Sequence, residues 1–140
     1  FTYTTPFGGC SGQAAGGSSG KECLQINVKD NSAFGSFVQI PAVDGTIEKI
    51  EVTIREPYKG RAIGIFPVGY TYTKDTLDKM KEQLAKDAIA ISNETPSDVN
   101  NNEPFTFVID NLSAKNLTQF SIFPTLGAVS ITAITVTYSK

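Results

Sequence analysis

Two stretches of the chain read almost alike: GTIEKIEVTI at residues 45–54 and VSITAITVTY at residues 129–138. Within each, apolar residues alternate with polar ones, as they do in a β-strand with one buried face. The alternation slips by one residue after the first isoleucine of each copy, at residues 48–49 and 132–133. A β-bulge produces such a slip, because one extra residue keeps the apolar side chains of both halves pointing inward. We therefore predict two long, bulged strands that are neighbours in one sheet or equivalents in two facing sheets.

Most of the remaining chain alternates in the same way. Phe105, Phe107 and Ile109, for example, share one face of a short run. Such runs are typical of antiparallel sheets with one buried face, and they favour a β-sandwich over a parallel βαβ fold. The runs are separated by turns rich in Gly, Pro, Asn and Asp, and together they predict about eight strands. These strands lie at residues 2–7, 23–29, 34–40, 46–55, 61–72, 104–110, 117–123 and 128–138.

One segment, DTLDKMKEQLAKDAIAI at residues 75–91, departs from the β pattern. Its apolar residues lie three or four positions apart, as in an amphipathic helix: Leu77, Met80, Leu84 and Ala88. Either Asp75 or Thr76 can cap its N-terminus. We predict an inserted helix that lies over a sheet face or the open end of the sandwich. Protection of a sheet edge and binding of a partner are the two roles that its sequence leaves open.

Length and charge exclude several classes of function. A chain of 140 residues is the usual size of one domain, so we expect residues 1–140 to form a single domain. The formal net charge of −2, with scattered basic residues, argues against a nucleic-acid partner. No apolar run approaches the ~20 residues that cross a bilayer, so membrane insertion is not expected. Because the chain begins at Phe1 rather than Met, we expect a mature product or part of a larger polypeptide.

The two cysteines, Cys10 and Cys23, flank SGQAAGGSSGKE, a segment rich in Gly and Ser. A disulfide across this segment would remove about 3 kcal/mol of conformational freedom from the unfolded chain. Such a bond implies an oxidising, extracellular compartment. The alternative is two free thiols, with one or both in the core. The sequence favours the disulfide, and two free thiols remain the alternative.

The C-terminal FSIFPTLGAVSITAITVTYSK, together with GTIEKIEVTI, resembles the jelly-roll β-sandwich modules of large cell-surface and secreted proteins of gut Bacteroidetes. The last strand of those modules commonly reads I-x-x-I-x-V-T-Y. The resemblance implies an eight-stranded antiparallel jelly-roll-like β-sandwich and an extracellular or cell-surface location. It also matches Asp75-Thr76-Leu77 to a short O-glycosylation signal of that phylum, with Thr76 as acceptor. The modules often contain a tryptophan that stacks on sugars, whereas this chain has none.

Catalytic chemistry has few candidates in this sequence. The chain has no histidine, which removes Ser-His-Asp and Cys-His catalysis as well as imidazole metal sites. Carboxylates remain, but they lie mostly in predicted turns or on the helix, and a small sandwich has little room for a deep cleft between two of them. The Gly-rich residues 8–17 lack the strand and helix of a phosphate loop. We predict that the protein is not an enzyme.

A metal site is the next candidate. SDVNNNE at residues 97–103 offers Asp98, Asn100 and Asn102, with Glu103 beside them, and such hard oxygen ligands suit Ca²⁺. The spacing resembles the start of an EF-hand loop, but position six is Glu103 instead of Gly and position twelve is Ile109 instead of Glu. We therefore expect no cofactor, with a structural calcium and a solvated polar turn as alternatives for this segment.

Tyrosines supply the remaining candidates for a ligand site. Tyr58, Tyr70 and Tyr72 lie close to Arg61 within residues 56–72, and tyrosine rings beside a cation can stack on sugars. Tyr70 and Tyr72 are two residues apart, so they share a face if the strand continues through them. Tyr70 and Tyr72 therefore belong either to a ligand-binding platform or to a continuation of the core.

Together these observations predict a non-catalytic extracellular binding module, with a glycan or another cell-surface component as its partner. The alternative is a structural role, as an adhesin-like subunit or as a spacer domain of a larger cell-surface protein. A tyrosine-lined groove favours the first function, whereas an exposed sheet edge or a detachable terminal strand favours the second.

Overall fold

A computed structural model describes residues 2–4, 10–11, 13–15, 23–28 and 37–140, with side chains for residues 26–28 and 37–140. In this part of the chain strands predominate, with one α-helix and one short 3-10 helix. The elements are β1 (Thr2–Thr4), β2 (Cys10–Ser11), β3 (Gln13–Ala15), β4 (Cys23–Ile26), β5 (Phe37–Gln39), β6 (Thr46–Arg55), β7 (Ile63–Phe66), α1 (Leu77–Asp87), β8 (Ala90–Ile91), β9 (Phe105–Ile109), the 3-10 helix (Ser113–Lys115), β10 (Ser121–Pro124) and β11 (Val129–Ser139).

The strands form two antiparallel sheets. The first sheet has the order β3-β4-β11-β6-β9, with β1 also paired to β11, and the second sheet has the order β2-β5-β10-β7-β8. From β4 to β11 every connection passes from one sheet to the other, except the connection from β7 to β8, which holds α1. This alternation is the jelly-roll topology. The predicted all-β jelly-roll sandwich with an inserted helix is therefore confirmed, but the described residues form eleven strands instead of the predicted eight.

The two similar stretches are β6 and β11, and they are hydrogen-bonded neighbours in the first sheet. Their register shifts twice: between Ile131 and Ala133, where Thr132 is the extra residue, and near the other end, where Glu48 is the extra residue. These are the positions at which the apolar alternation slips in the sequence. Each bulge also makes a further contact: the carbonyl of Glu48 accepts a hydrogen bond from the backbone of Leu112 at 3.0 Å, and the Thr132 hydroxyl donates one to the carbonyl of Thr53 at 3.2 Å. The predicted bulges are confirmed.

The main core lies between the two sheets. The inward residues of β6 and β11 are buried from one end of the strand pair to the other, apart from the half-buried Tyr138 at its edge. They pack against inward residues of β5, β7 and β10, so the repeated pattern supplies much of one side of the core. The members from β6 and β11 are Ile47, Ile50, Val52, Ile54, Val129, Ile131, Ile134 and Val136.

A second buried cluster, here called the outer cluster, lies on the outer face of the second sheet. Phe37, Phe66 and Phe123 project there from β5, β7 and β10, and the ring of Phe123 lies 5.3 Å from Phe37 and 5.1 Å from Phe66. Met80 and Leu84 of α1 are fully buried against these rings. The helix therefore covers a sheet face, which is one of the two predicted positions. Within the described residues, no helix is long and apolar enough to cross a membrane.

The helix begins as predicted but ends earlier. Thr76, one of the two candidate caps, is the N-cap, and its hydroxyl accepts a hydrogen bond from the backbone of Lys79 at 3.3 Å. The helix ends at Asp87, because the following residues are extended and form β8, which pairs with β7. Leu77, expected on the buried stripe, is 39 % exposed. Backbone pairing with β7 thus replaces the last helical turn that the spacing of apolar residues predicts.

The strand predicted at residues 61–72 is also shorter than expected. It ends at Phe66, where the sheet ends, and residues 67–72 leave the sheet and run toward α1. A turn follows, closed by a hydrogen bond of 3.1 Å from the backbone of Tyr70 to the carbonyl of Pro67.

Candidate functional site

Three connections meet at one end of the sandwich, here called the loop end. They are residues 56–62 between β6 and β7, residues 92–104 between β8 and β9, and residues 125–128 between β10 and β11. The strand register brings them together, because Ile54 pairs with Phe105 and Arg55 pairs with Ser130. Sequence segments that are far apart in the chain therefore form one surface.

The connection after β6 presents Tyr58 to solvent. The side chain of Tyr58 is 57 % exposed, whereas Pro57 before it is buried. Glu56 and Gly60 both have positive φ values, of 48° and 68°, so the chain turns sharply on each side of the tyrosine. Glycine adopts such a value without strain, which explains why Gly60 follows Lys59 here. Tyr58 is therefore an exposed ring on a sharply turning segment.

Thr95 fixes this connection from the neighbouring one. Its buried hydroxyl donates a hydrogen bond to the carbonyl of Tyr58 and accepts one of 2.9 Å from the backbone of Arg61. Its backbone donates to the carbonyl of Arg61 at 2.8 Å and accepts from Gly60 at 3.3 Å. One threonine thus satisfies backbone groups on both sides of the turn that carries Tyr58. Because the contacts come from a different connection, the turn is fixed in place before any ligand binds.

Arg61 is held beside Tyr58 by the third connection. Its Nε donates a hydrogen bond of 3.0 Å to the carbonyl of Ala128, and its Cζ lies 5.8 Å from the centroid of the Tyr58 ring. Gly127 makes this approach feasible, because a Cβ at that position would lie 2.9 Å from Cζ of Arg61. Among the described residues, no ion pair involves Arg61, and its Nη groups have no hydrogen-bond partner.

Two adjoining depressions mark the loop end. The smaller cleft, of about 70 Å³, lies between Tyr58, Arg61 and residues 128–130. The larger groove, of about 420 Å³, is lined by polar side chains that include Asn102 and Glu103. Arg55 and Glu56 line both of them. The structure therefore brings part of the predicted calcium segment beside the predicted tyrosine and arginine, a proximity that the sequence does not indicate.

The predicted calcium ligands form an exposed turn. The Oδ1 atom of Asn100 accepts a hydrogen bond of 2.9 Å from the backbone of Asn102, and the carbonyl of Asn100 accepts one of 3.2 Å from Glu103. Asp98 is exposed on the same segment. Among the described residues, no group of three or more His, Cys, Asp or Glu side chains could hold a metal. For Asp98, Asn100 and Asn102, a structural calcium and a solvated polar turn therefore stay the two alternatives.

Tyr70 and Tyr72 lie in the outer cluster rather than at the loop end. Tyr72 is fully buried, and the ring of Tyr70 stacks on Phe66 at 4.6 Å. The hydroxyl of Tyr70 donates a hydrogen bond of 2.8 Å to Asp87 at the end of α1. Burial, and then the bond to Asp87, raise the pKa of Tyr70 well above its ordinary value. The expectation that the two tyrosines share a strand face is wrong, because the strand ends at Phe66, and Tyr72 has no surface to offer a ligand.

The cysteines belong to different sheets. Cys10 is in β2 of the second sheet and Cys23 is in β4 of the first. Their side chains lie outside the described residues, so the disulfide stays a prediction.

The positioning residues of the loop end are not visible in the sequence. Thr95 is an ordinary threonine before Pro96, Gly127 belongs to a predicted turn, and Ala128 is the first residue of the strand predicted at residues 128–138. Their roles depend on contacts across 34 and 67 residues of chain, respectively. The local signals that point to this surface are Tyr58 and Arg61 in the turn after β6 and the polar segment around Asn102.

No protein-family model matches the chain, and no curated protein matches it. Among solved structures, it is similar to the K1 cleaved adhesin domain of Lys-gingipain from Porphyromonas gingivalis W83. The sequence identity is 10 % and the TM-score is 0.42, with 100 % of this chain and 99 % of that chain covered. The jelly-roll assignment rests on the strand order and not on this similarity.

Proposed function

We propose that this chain is a non-catalytic, adhesin-like binding module of a cell-surface or secreted protein, and that the loop end holds its ligand. The observation that carries this proposal is the exposed ring of Tyr58, fixed beside Arg61 by contacts from two other connections. The rest of the sandwich serves as a rigid support for this surface. The C-terminal strand pattern implies the extracellular location that goes with such a function.

An exposed aromatic ring on an ordered turn favours binding over a purely structural role. Exposed tyrosines lose little conformational entropy when they bind, and they combine an apolar face with a polar tip. The turn around Tyr58 is already ordered by Thr95. A ligand therefore meets a preorganised surface and incurs little ordering cost on binding.

The shape of the loop end favours recognition over catalysis. A cleft of about 70 Å³ is much smaller than the ~300 Å³ or more that usually encloses a small-molecule substrate. The carboxylates of the larger groove, Glu56 and Glu103, are exposed to water. Paired carboxylates that cleave glycosides need a cleft that holds the scissile bond between them.

The ligand that we propose is a glycan. A sugar ring can stack on Tyr58 while its hydroxyl groups bond to amide and guanidinium groups around the neighbouring groove, such as those of Asn101, Asn102 and Arg55. A spacer domain is the competing function, and in that case Tyr58 is a contact residue between domains.

The test is glycan-array binding of the wild-type protein and of two variants of Tyr58. Tyr58→Phe keeps the ring and should bind nearly as well as the wild type, whereas Tyr58→Ala should bind at least about tenfold more weakly. Because Tyr58 is exposed, both variants should keep their stability within about 0.5 kcal/mol. Val108→Ala removes another exposed apolar side chain, on β9, and is the control that should bind normally. Absence of glycan binding by the wild type, or full binding by Tyr58→Ala, would leave the spacer function.

A further inference from the structure

We infer that the glycan bound at the loop end is acidic, with its carboxylate on Arg61 and its sugar ring on Tyr58. This inference rests on the proposed function and narrows it to one class of ligand. It follows from the donors that Arg61 leaves unused, from the local charge, and from the size of the smaller cleft.

The hydrogen bond from Arg61 Nε to Ala128 decides which donors remain. With Nε engaged at 3.0 Å, the guanidinium can still present its two Nη groups as a pair. A carboxylate can accept two parallel hydrogen bonds from such a pair, and this bidentate contact is stronger and more directional than a contact with an ammonium group. Arg61 is therefore fixed in an orientation that suits an end-on carboxylate.

No internal anion satisfies this guanidinium within the part of the chain that the structure describes. The two ion pairs found there join Lys49 to Glu51 and Lys79 to Asp75. A partly buried cation loses part of its hydration, and a nearby carboxylate usually compensates for that loss. Arg61 has no such carboxylate among the described residues. An anionic group from outside can supply the missing partner.

The local charge has the sign that this ligand requires. Residues 55–61 contain three basic side chains and one acidic side chain, although the whole chain has a formal net charge of −2. The acidic groups that face this area are Glu56, which lines both depressions, and Glu103, which lines the larger groove. The carboxylate of the ligand therefore belongs in the smaller cleft, and the uncharged part of the glycan belongs along the larger groove.

The smaller cleft also limits the size of the group that enters it. Its volume of about 70 Å³ is well below the ~300 Å³ or more of pockets that enclose a whole small-molecule ligand. A carboxylate fits this space, whereas a sugar ring does not. The ring must remain outside, where the exposed face of Tyr58 lies beside the guanidinium.

The experiment compares paired glycans on an array: each uronic or sialic acid glycan as the free acid and as its methyl ester, with the neutral sugar as a third member. The wild type should bind the best free acid at least about tenfold more tightly than its ester. Arg61→Gln should abolish this difference, and Arg61→Lys should restore only a small part of it, because an ammonium lacks the paired Nη donors. Lys115→Gln removes a distant positive charge near the other end of β6 and should bind like the wild type.

Gly127→Ala supplies a second variant that leaves the charge of Arg61 intact. Its added Cβ must displace the guanidinium, so the preference for acid over ester should fall although the charge of Arg61 is kept. Equal binding of acid and ester by the wild type, with binding still lost in Tyr58→Ala, overturns this inference and leaves the proposed function intact. Binding of sulfated glycans in preference to carboxylates also overturns it. Absence of all binding overturns the proposed function and this inference together.

Discussion

The hydroxyl of Thr95 donates a hydrogen bond to the carbonyl oxygen of Tyr58, which lies 37 residues earlier in the chain. The same hydroxyl accepts a hydrogen bond from the backbone of Arg61 at 2.9 Å. A single buried oxygen thus connects the turn that carries the exposed ring to the connection between β8 and β9. The geometry of the proposed binding surface depends on this contact, although Thr95 itself is only 3 % exposed.

Replacement of Thr95 by valine should destabilise the protein and weaken ligand binding. The change keeps the shape of the side chain but leaves the carbonyl of Tyr58 and the backbone N–H of Arg61 without a partner, which costs about 1–3 kcal/mol. Denaturant titration measures the loss. Thr106→Val is the matched control, because Thr106 bonds to Thr53 on an exposed surface and should change stability by less than about 0.5 kcal/mol. Equal effects of the two variants would contradict the role given to Thr95.

Ile131→Ala tests the bulged register of β11. Ile131 is fully buried immediately before the bulge at Thr132, so its truncation should cost about 2–5 kcal/mol in the free energy of unfolding. Val108→Ala, at a position that is 48 % exposed on β9, should cost much less. A loss below ~1 kcal/mol for Ile131→Ala in a denaturant titration would mean that this side chain does not point into the core.

Tyr70→Phe tests the attachment of the end of α1 to the outer cluster. Loss of the hydrogen bond from Tyr70 to Asp87 should cost about 0.5–1.5 kcal/mol near pH 7, as measured by denaturant titration. Met80 and Leu84 keep the helix packed, so the variant should remain folded.

The same variant should also change the pH dependence of stability. Burial and Asp87 raise the pKa of Tyr70 in the folded state, so its phenol stays neutral where the unfolded chain already ionises. The stabilisation is complete below the unfolded pKa of about 10 and decreases as the pH rises above it. Tyr70→Phe lacks this decrease, so the stability difference between the two proteins should narrow between pH 9 and about pH 11.5. A constant difference across that range would show that Tyr70 contributes no such dependence.

The cysteine pair can be tested by mass spectrometry of protein made under oxidising conditions. We predict a bond between Cys10 and Cys23 that raises the melting temperature, because it restrains the Gly-rich segment between them in the unfolded chain. Recovery of two free thiols under those conditions would disprove it.

Removal of calcium should leave the melting temperature unchanged. The turn at residues 100–103 is already closed by hydrogen bonds to the side chain and the carbonyl of Asn100, so it does not require a cation for order. Thermal unfolding in EDTA and in millimolar Ca²⁺ makes the comparison. A rise of several degrees with Ca²⁺, lost in Asp98→Asn, would instead support the calcium site at Asp98, Asn100 and Asn102.

Several features of this protein follow from local periodicity in the amino-acid sequence. Alternation of apolar residues indicated the strands and their antiparallel, sandwiched arrangement, and the slips at Glu48 and Thr132 indicated the bulges. Spacing of three and four residues likewise indicated α1. An exposed tyrosine between Pro57 and Gly60 was predictable for the same reason, since turn residues act on their immediate neighbours.

Tertiary structure alone decided which of these local elements meet. The end of β7 at Phe66, the burial of Tyr72 beneath α1 and the conversion of the last predicted helical turn into β8 all depend on partners distant in the chain. The loop end also depends on distant partners, because Arg61 is oriented by Ala128, 67 residues away. Periodicity determines which face of a helix or strand is apolar. Only the packing of the two sheets determines which neighbouring residues that face contacts.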